Sequence, residues 1–166
     1  MRFSTVQTSF DTATALTQGR TNTIDVVYRG TLTGNTLTEL TIDNIPGRRL
    51  VPDRAGAFSL LVQAVEYNVT SGAVFTNMMY VTGSVSAAGV ITLQNNTSLM
   101  FGAGATPAAL TNGLGNGGAD NGFIFDVVAA SGNTPAYLRL QARGAAGATT
   151  SWEIIVRGVE VTALNN

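Results

Sequence analysis

The chain has no cysteine, no histidine and no lysine, and all nine of its basic residues are arginine. Without cysteine and histidine there is no disulfide to staple the fold and no thiolate or imidazole to hold a metal. The same two absences remove the common acyl-transfer constellations. Without lysine there is no Schiff-base chemistry and no phosphate-binding P-loop lysine. Charge is scarce as well: 11% of residues are charged and the formal net charge is −1. A basic footprint for nucleic acid is therefore missing. No run approaches the roughly 18 apolar residues that suggest a membrane span. The opening MRFSTVQTSFDTATALTQ lacks the continuous apolar stretch of a signal peptide. The fold must rest on its own core or on partner subunits.

What is present is apolar and β-prone. Apolar residues make up 45% of the 166, too many for a disordered chain. The length suits one domain able to bury roughly 70% of its unfolded surface. Runs of Thr, Val, Ile and aromatic residues are broken by Gly and Asn about every ten residues, the rhythm of an all-β sandwich or barrel. Ile24, Val26 and Tyr28 alternate with Asp25 and Arg29; Leu40 and Ile42 alternate with Glu39, Thr41 and Asp43. Thr33-Gly34-Asn35-Thr36 between them predicts a tight hairpin. Strands are expected in AFSLLVQAVEYN, GAVFTNMMYVTG, GVITLQ, SLMF, FIFDVVA, AYLRLQARG and SWEIIVRGVEV. The total is eight or nine antiparallel strands in one domain, 21–166, after an N-terminal arm of residues 1–20. Residues 102–122, with seven glycines, form a long Gly-rich loop.

Side-chain parity suggests a last hairpin with Leu140 opposite Ile154, Leu138 opposite Val156 and Ala142 opposite Trp152. Gln141 would then oppose Glu153, with Arg139 and Arg143 on its diagonals. Beyond Gly158, Val159 and Val161 fall on the other parity, which predicts a bulge or bend at that glycine. Two strands are apolar on both sides. Leu61 and Val65 lie opposite Phe58, Leu60 and Val62; Phe75, Met79 and Val81 lie opposite Val74, Met78 and Tyr80. An antiparallel sheet ordinarily leaves one face polar, so the second face predicts a covering, by a loop or by another copy of the chain. The interface set is Leu61, Val65, Phe75, Met79 and Val81.

The loop IPGRRLVPDRAG carries Arg48, Arg49 and Arg54. They fit a clamp on an acidic patch of another protein, and equally an ordinary solvated loop. Trp152 shares parity with Ile154 and Val156 and is expected in the core. GLGNGG has no βαβ unit around it, so it is not a dinucleotide site. The single carboxylate of ADNG makes a turn rather than a calcium site. A glycosidase would need two close carboxylates; Asp43 with Asp53, or Glu153 with Glu160, are the available pairs, and no motif marks either. No enzymatic activity and no cofactor are expected.

The order of segments VQAVEYNVTSGAVFTNMMYVTGSVSAAGVITLQ and FIFDVVAASGNTPAYLRLQARGAAGATTSWEIIVRGVEV resembles a domain of tailed-bacteriophage structural proteins. The likeness rests on Val62–Val65, Thr82–Gly89, Leu138–Gly144 and the tryptophan strand Trp152–Val161, and spans roughly residues 58–161. It implies a jelly-roll β-sandwich that assembles as trimers in tail fibres, appendages or head-decorating proteins, without catalysis. In fibres the domain closes a much longer chain. Here it opens with Met1 and fills nearly the whole sequence, which favours a capsid decoration (cement) protein. Such a protein is made in the bacterial host cytoplasm and sits on the outer surface of the virion head. Its partners would be its own copies, as a homotrimer, and the major capsid protein, with no nucleic acid and no membrane. The other setting that the likeness allows is the receptor-binding tip of a tail fibre or spike, where the partner would be a glycan receptor.

Overall fold

A computed structural model describes residues 19–53, 55–101 and 122–163. They form eight strands: β1 Gly19–Thr33, β2 Thr38–Ile42, β3 Gly56–Asn68, β4 Val74–Val85, β5 Ile91–Phe101, β6 Gly122–Val128, β7 Tyr137–Arg143 and β8 Thr149–Ala163. Every pairing is antiparallel, in the order β5-β4-β3-β8-β1-β2-β7-β6. The edge strands β5 and β6 approach each other, so the sheet curls until it is nearly closed. The expected all-β antiparallel architecture is the one observed. ITLQ of the first expected segment and SLMF belong to the single strand β5. The expected arm, residues 1–20, lies outside the described residues except at Gly19 and Arg20, which open β1. The loop 102–122 lies outside them except at Gly122, the first residue of β6.

Curling gives the sheet one inner face, and alternation fills it. Val26 and Tyr28 of β1, Leu60 and Val62 of β3, Met79 and Val81 of β4, Phe123 and Phe125 of β6, Leu138 and Leu140 of β7, and Trp152, Ile154 and Val156 of β8 are all buried there. The Phe123 and Trp152 rings meet edge to face, with centroids 6.4 Å apart. That contact spans the interior from β6 to β8. Each large side chain so enclosed contributes about 1.5–3 kcal/mol relative to exposure.

Strand β8 is the centre of the larger part of the sheet. It pairs along its whole length with β1, from Gly19↔Ala163 to Thr33↔Thr149. On its other side it pairs with β3, from Gly56↔Thr162 to Asn68↔Thr150. Neither register breaks. Two expectations are corrected here. The first is the bulge at Gly158: β8 keeps its register with both β1 and β3 through that residue. What changes there is the polarity of the inner positions, because Glu160 and Thr162 continue the inward row of Trp152, Ile154 and Val156 and are buried. Gly158 is needed for close approach: a Cβ there would sit 2.0 Å from the Ser59 carbonyl oxygen and 2.9 Å from the Leu60 Cα.

The second correction is the last hairpin. Strand β7 pairs with β2 and β6, not with β8. Leu138, Leu140, Ala142, Trp152, Ile154 and Val156 do point to one core, but from different stretches of the curled sheet. Parity alone is satisfied equally by strands side by side and by strands facing across a core. The charges proposed to bridge that hairpin have other partners: Arg139 binds Asp126 through two hydrogen bonds of 2.9 and 2.6 Å, and Glu153 accepts one from Arg29. The first hairpin is also looser than expected. Gly34 takes the positive φ of 78°, but β1 and β2 pair only at Tyr28↔Ile42 and Arg29↔Thr41, so residues 34–37 make a splayed turn.

Candidate functional site

The registers of β4, β3, β8 and β1 place their outward residues in rows. One row reads Val74, Tyr67, Ser151, Thr31; the next reads Thr76, Val65, Glu153, Arg29. Then come Met78, Gln63, Ile155, Val27; Tyr80, Leu61, Arg157, Asp25; and Thr82, Ser59, Val159, Thr23. The last row is Ser84, Ala57, Val161, Thr21. On this face Val65, Tyr67, Val74, Tyr80, Val159 and Val161 are each 45–55% exposed. Leu61, Met78 and Ile155 are half-buried, and Val27 on β1 is buried within the chain. A cluster of β-branched and aromatic side chains in solvent, on one continuous face, is the surface feature that calls for a partner.

Set into it are two ion pairs between neighbouring strands. Arg29 Nε meets Glu153 at 3.0 Å and Arg157 Nε meets Asp25 at 3.3 Å, and all four side chains are more than half exposed. Tyr80 and Ser59 share a 2.6 Å hydrogen bond between hydroxyls. At one end of the face a shallow groove of about 370 Å³ is lined by Arg29, Thr31, Asn44, Val65, Tyr67 and Glu153, among others.

The expected interface residues divide between two faces. Leu61 and Val65 lie on this outer one. Met79 and Val81 point inward and are buried in the core of the single chain, 1% and 0% exposed. Phe75 shares their inward parity and is half-buried near the strand's end. The outward apolar residues of β4 are instead Val74, Met78 and Tyr80. Both parities of β4 are apolar, so the sequence has no sign to choose between them. The pairing Leu61↔Tyr80 decides it.

The arginine loop is held within the chain. Arg48 Nη1 donates to Asp43 at 2.9 Å and Arg49 Nε donates to Glu39 at 2.9 Å. The Arg49 guanidinium also lies 4.3 Å above the Tyr137 ring. The hydrogen bond to Glu39 holds the Arg49 pKa above its ordinary value. Arg54 lies outside the described residues.

Neither carboxylate pair read from the sequence is joined by a hydrogen bond; the linked carboxylates are Asp53 and Glu160. Asn22 Nδ2 donates to Asp53 Oδ2 at 3.0 Å and to Glu160 Oε2 at 3.5 Å. The Asp53 backbone N–H donates to Glu160 Oε1. Burial pushes the Glu160 carboxyl above the usual range and the Asp53 charge adds to this, while the two hydrogen bonds oppose it. The cluster fastens the loop at Asp53 to β8. Among the described residues no group of three or more acidic side chains could hold a metal ion.

No family model and no curated protein matches the chain. Among solved structures, it is similar to a tailspike protein, gp49 of Acinetobacter baumannii bacteriophage Fri1, described as a capsular polysaccharide depolymerase. The identity is 10% and the TM-score 0.35, over 95% of this chain and 20% of that one. The chain thus spans about a fifth of the length of that protein.

Proposed function

We propose that the protein is a non-catalytic structural subunit of a bacteriophage virion that works by association, as a decoration protein on the outer surface of the head. The observation that carries association is the outer face of β4, β3, β8 and β1. Its six large apolar side chains, each about half exposed, are set in a framework whose core is already complete. The virion assignment rests on the sequence resemblance of residues 58–161 to tailed-phage structural domains. The apolar face suits burial against a neighbour at about 25 cal/mol per Å², which needs neither a covalent staple nor a metal. Undecorated heads incubated with the purified protein and spun through a cushion should carry it at a fixed number of copies per head. Heads that pellet bare while the protein remains folded and soluble would overturn the assignment.

A second reading is the receptor-binding tip of a fibre or spike. The groove favours it, because Tyr67 offers a ring to a sugar beside the hydrogen-bonding Arg29–Glu153 pair. A glycan array separates the two: saturable binding lost on Tyr67→Ala supports the receptor reading, and a blank array removes it.

A further inference from the structure

We infer that the occupant of this face is a second copy of the same chain, related by a two-fold axis that lies in the plane of the face and crosses the strands through the Val27–Ile155 row. The inference rests on the reading that the face associates, and adds which partner it takes and how.

The charges carry the argument. Val27 and Ile155 pair across β1 and β8; two residues along on either side stand Arg29↔Glu153 and Asp25↔Arg157. The four charges form a checkerboard: plus on β1 and minus on β8 in one row, minus on β1 and plus on β8 in the other. A checkerboard complements itself. Turned over about an axis across the strands, Arg29 meets the partner's Asp25 and Glu153 meets the partner's Arg157. Each charge opposes its opposite, and the intrachain pairs at 3.0 and 3.3 Å stay intact. A face of one sign would repel its copy, and a face built for a different partner has no need of this alternation. The same operation keeps apolar strands together: β3 lies over its own copy, so Leu61 faces the partner's Val65.

The size fits as well. Strands about 4.8 Å apart and rising about 3.4 Å per residue give the four-strand face roughly 700 Å². A standard interface buries about 800 Å² per partner. Two sheets packed this way make an aligned β-sandwich between chains. A three-fold assembly, which the sequence resemblance implies, joins two different patches on each copy and leaves the self-complementarity unused.

The test uses two pair swaps, each of which preserves its own intrachain salt bridge. In one variant Arg29→Glu is combined with Glu153→Arg; in the other Asp25→Arg is combined with Arg157→Asp. Either swap turns the checkerboard into stripes, so that like charges face across the two-fold. Sedimentation equilibrium should show the unmodified protein as a dimer. Each swap variant, folded by circular dichroism and urea unfolding, should have a dissociation constant at least about 100-fold higher. Mixing the two variants in equal amounts should restore the dimer, since stripes of one kind complement the other. Swap variants that dimerise like the parent, a mixture that stays monomeric, or a parent that sediments as a monomer or trimer would each overturn the inference. Head binding is measured separately: a dimer that follows this charge pattern but ignores phage heads supports the two-fold while overturning the virion reading.

Discussion

On the outer side of β2, β7 and β6 the arginines lie down on their neighbours; on the outer side of β4, β3, β8 and β1 valines and tyrosines stand in solvent. The first side is closed by its own residues. Arg139 grips Asp126 through Nε and Nη2, and Arg49 covers Tyr137 while binding Glu39. These ion pairs are only about one-third exposed. The second side has ion pairs too, but more than half exposed and separated by the apolar Val27–Ile155 pair. On the inferred dimer, charge does two jobs in one sheet. Partly buried, it finishes a surface. Left in solvent and alternating in sign, it can choose which surface may sit opposite.

Four tests would break or sharpen that contrast. The largest effect is expected from Gly158→Ala, which pushes a methyl group into the β3 backbone beneath the apolar side. Urea unfolding should show a loss of about 3 kcal/mol, at the upper end of overpacking costs. Next, Arg139→Ala on the closed side should cost about 1–2 kcal/mol, because it breaks a two-pronged, partly shielded pair. Arg29→Ala on the open side should stay within about 0.5 kcal/mol of the parent. Equal losses at the two sites would erase the distinction. Third, Val65→Ser combined with Val159→Ser should move monomer stability by no more than about 0.5 kcal/mol per site. It should weaken self-association about tenfold or more, read by sedimentation.

The smallest effect concerns Glu160. Its folded pKa is raised by burial, so the folded state binds the proton more tightly than the unfolded chain does. This group therefore adds stability as pH falls from neutral through its raised pKa, and the gain levels off below the ordinary glutamate value of 4.5. Glu160→Gln should flatten that part of the stability-versus-pH curve. A curve unchanged by the substitution would mean that Glu160 is not the group responsible.

Strand positions were readable because alternation is a local signal: the runs around Phe58–Val62 and Trp152–Val156 announce their inner faces unaided. Pairing was not readable in the same way. The parity of Leu138, Leu140, Trp152 and Ile154 matches one shared core, yet β7 and β8 lie in different stretches of the curled sheet, with β1 and β2 between them, and no local pattern distinguishes that from lying side by side. The same gap put Met79 and Val81 on the wrong side of β4, because a strand apolar on both parities takes its orientation from a neighbour. Leu61 and Val65 were found on the outer face because β3 has inner residues that are more consistently large. The checkerboard could not be seen at all without the register of β1 against β8, two strands more than a hundred residues apart.

That same separation bears on how the molecule is made. As the chain leaves the ribosome, β1 and β3 emerge early and have no neighbour in common until β8 follows them out. Until then β3 can zip onto β4 as a hairpin, but the middle of the wall is missing and the greasy interior stands open. This sheet therefore cannot close before its keystone is made, and the nascent chain stays vulnerable to sticking and to proteases until β8 slides into the slot between β1 and β3.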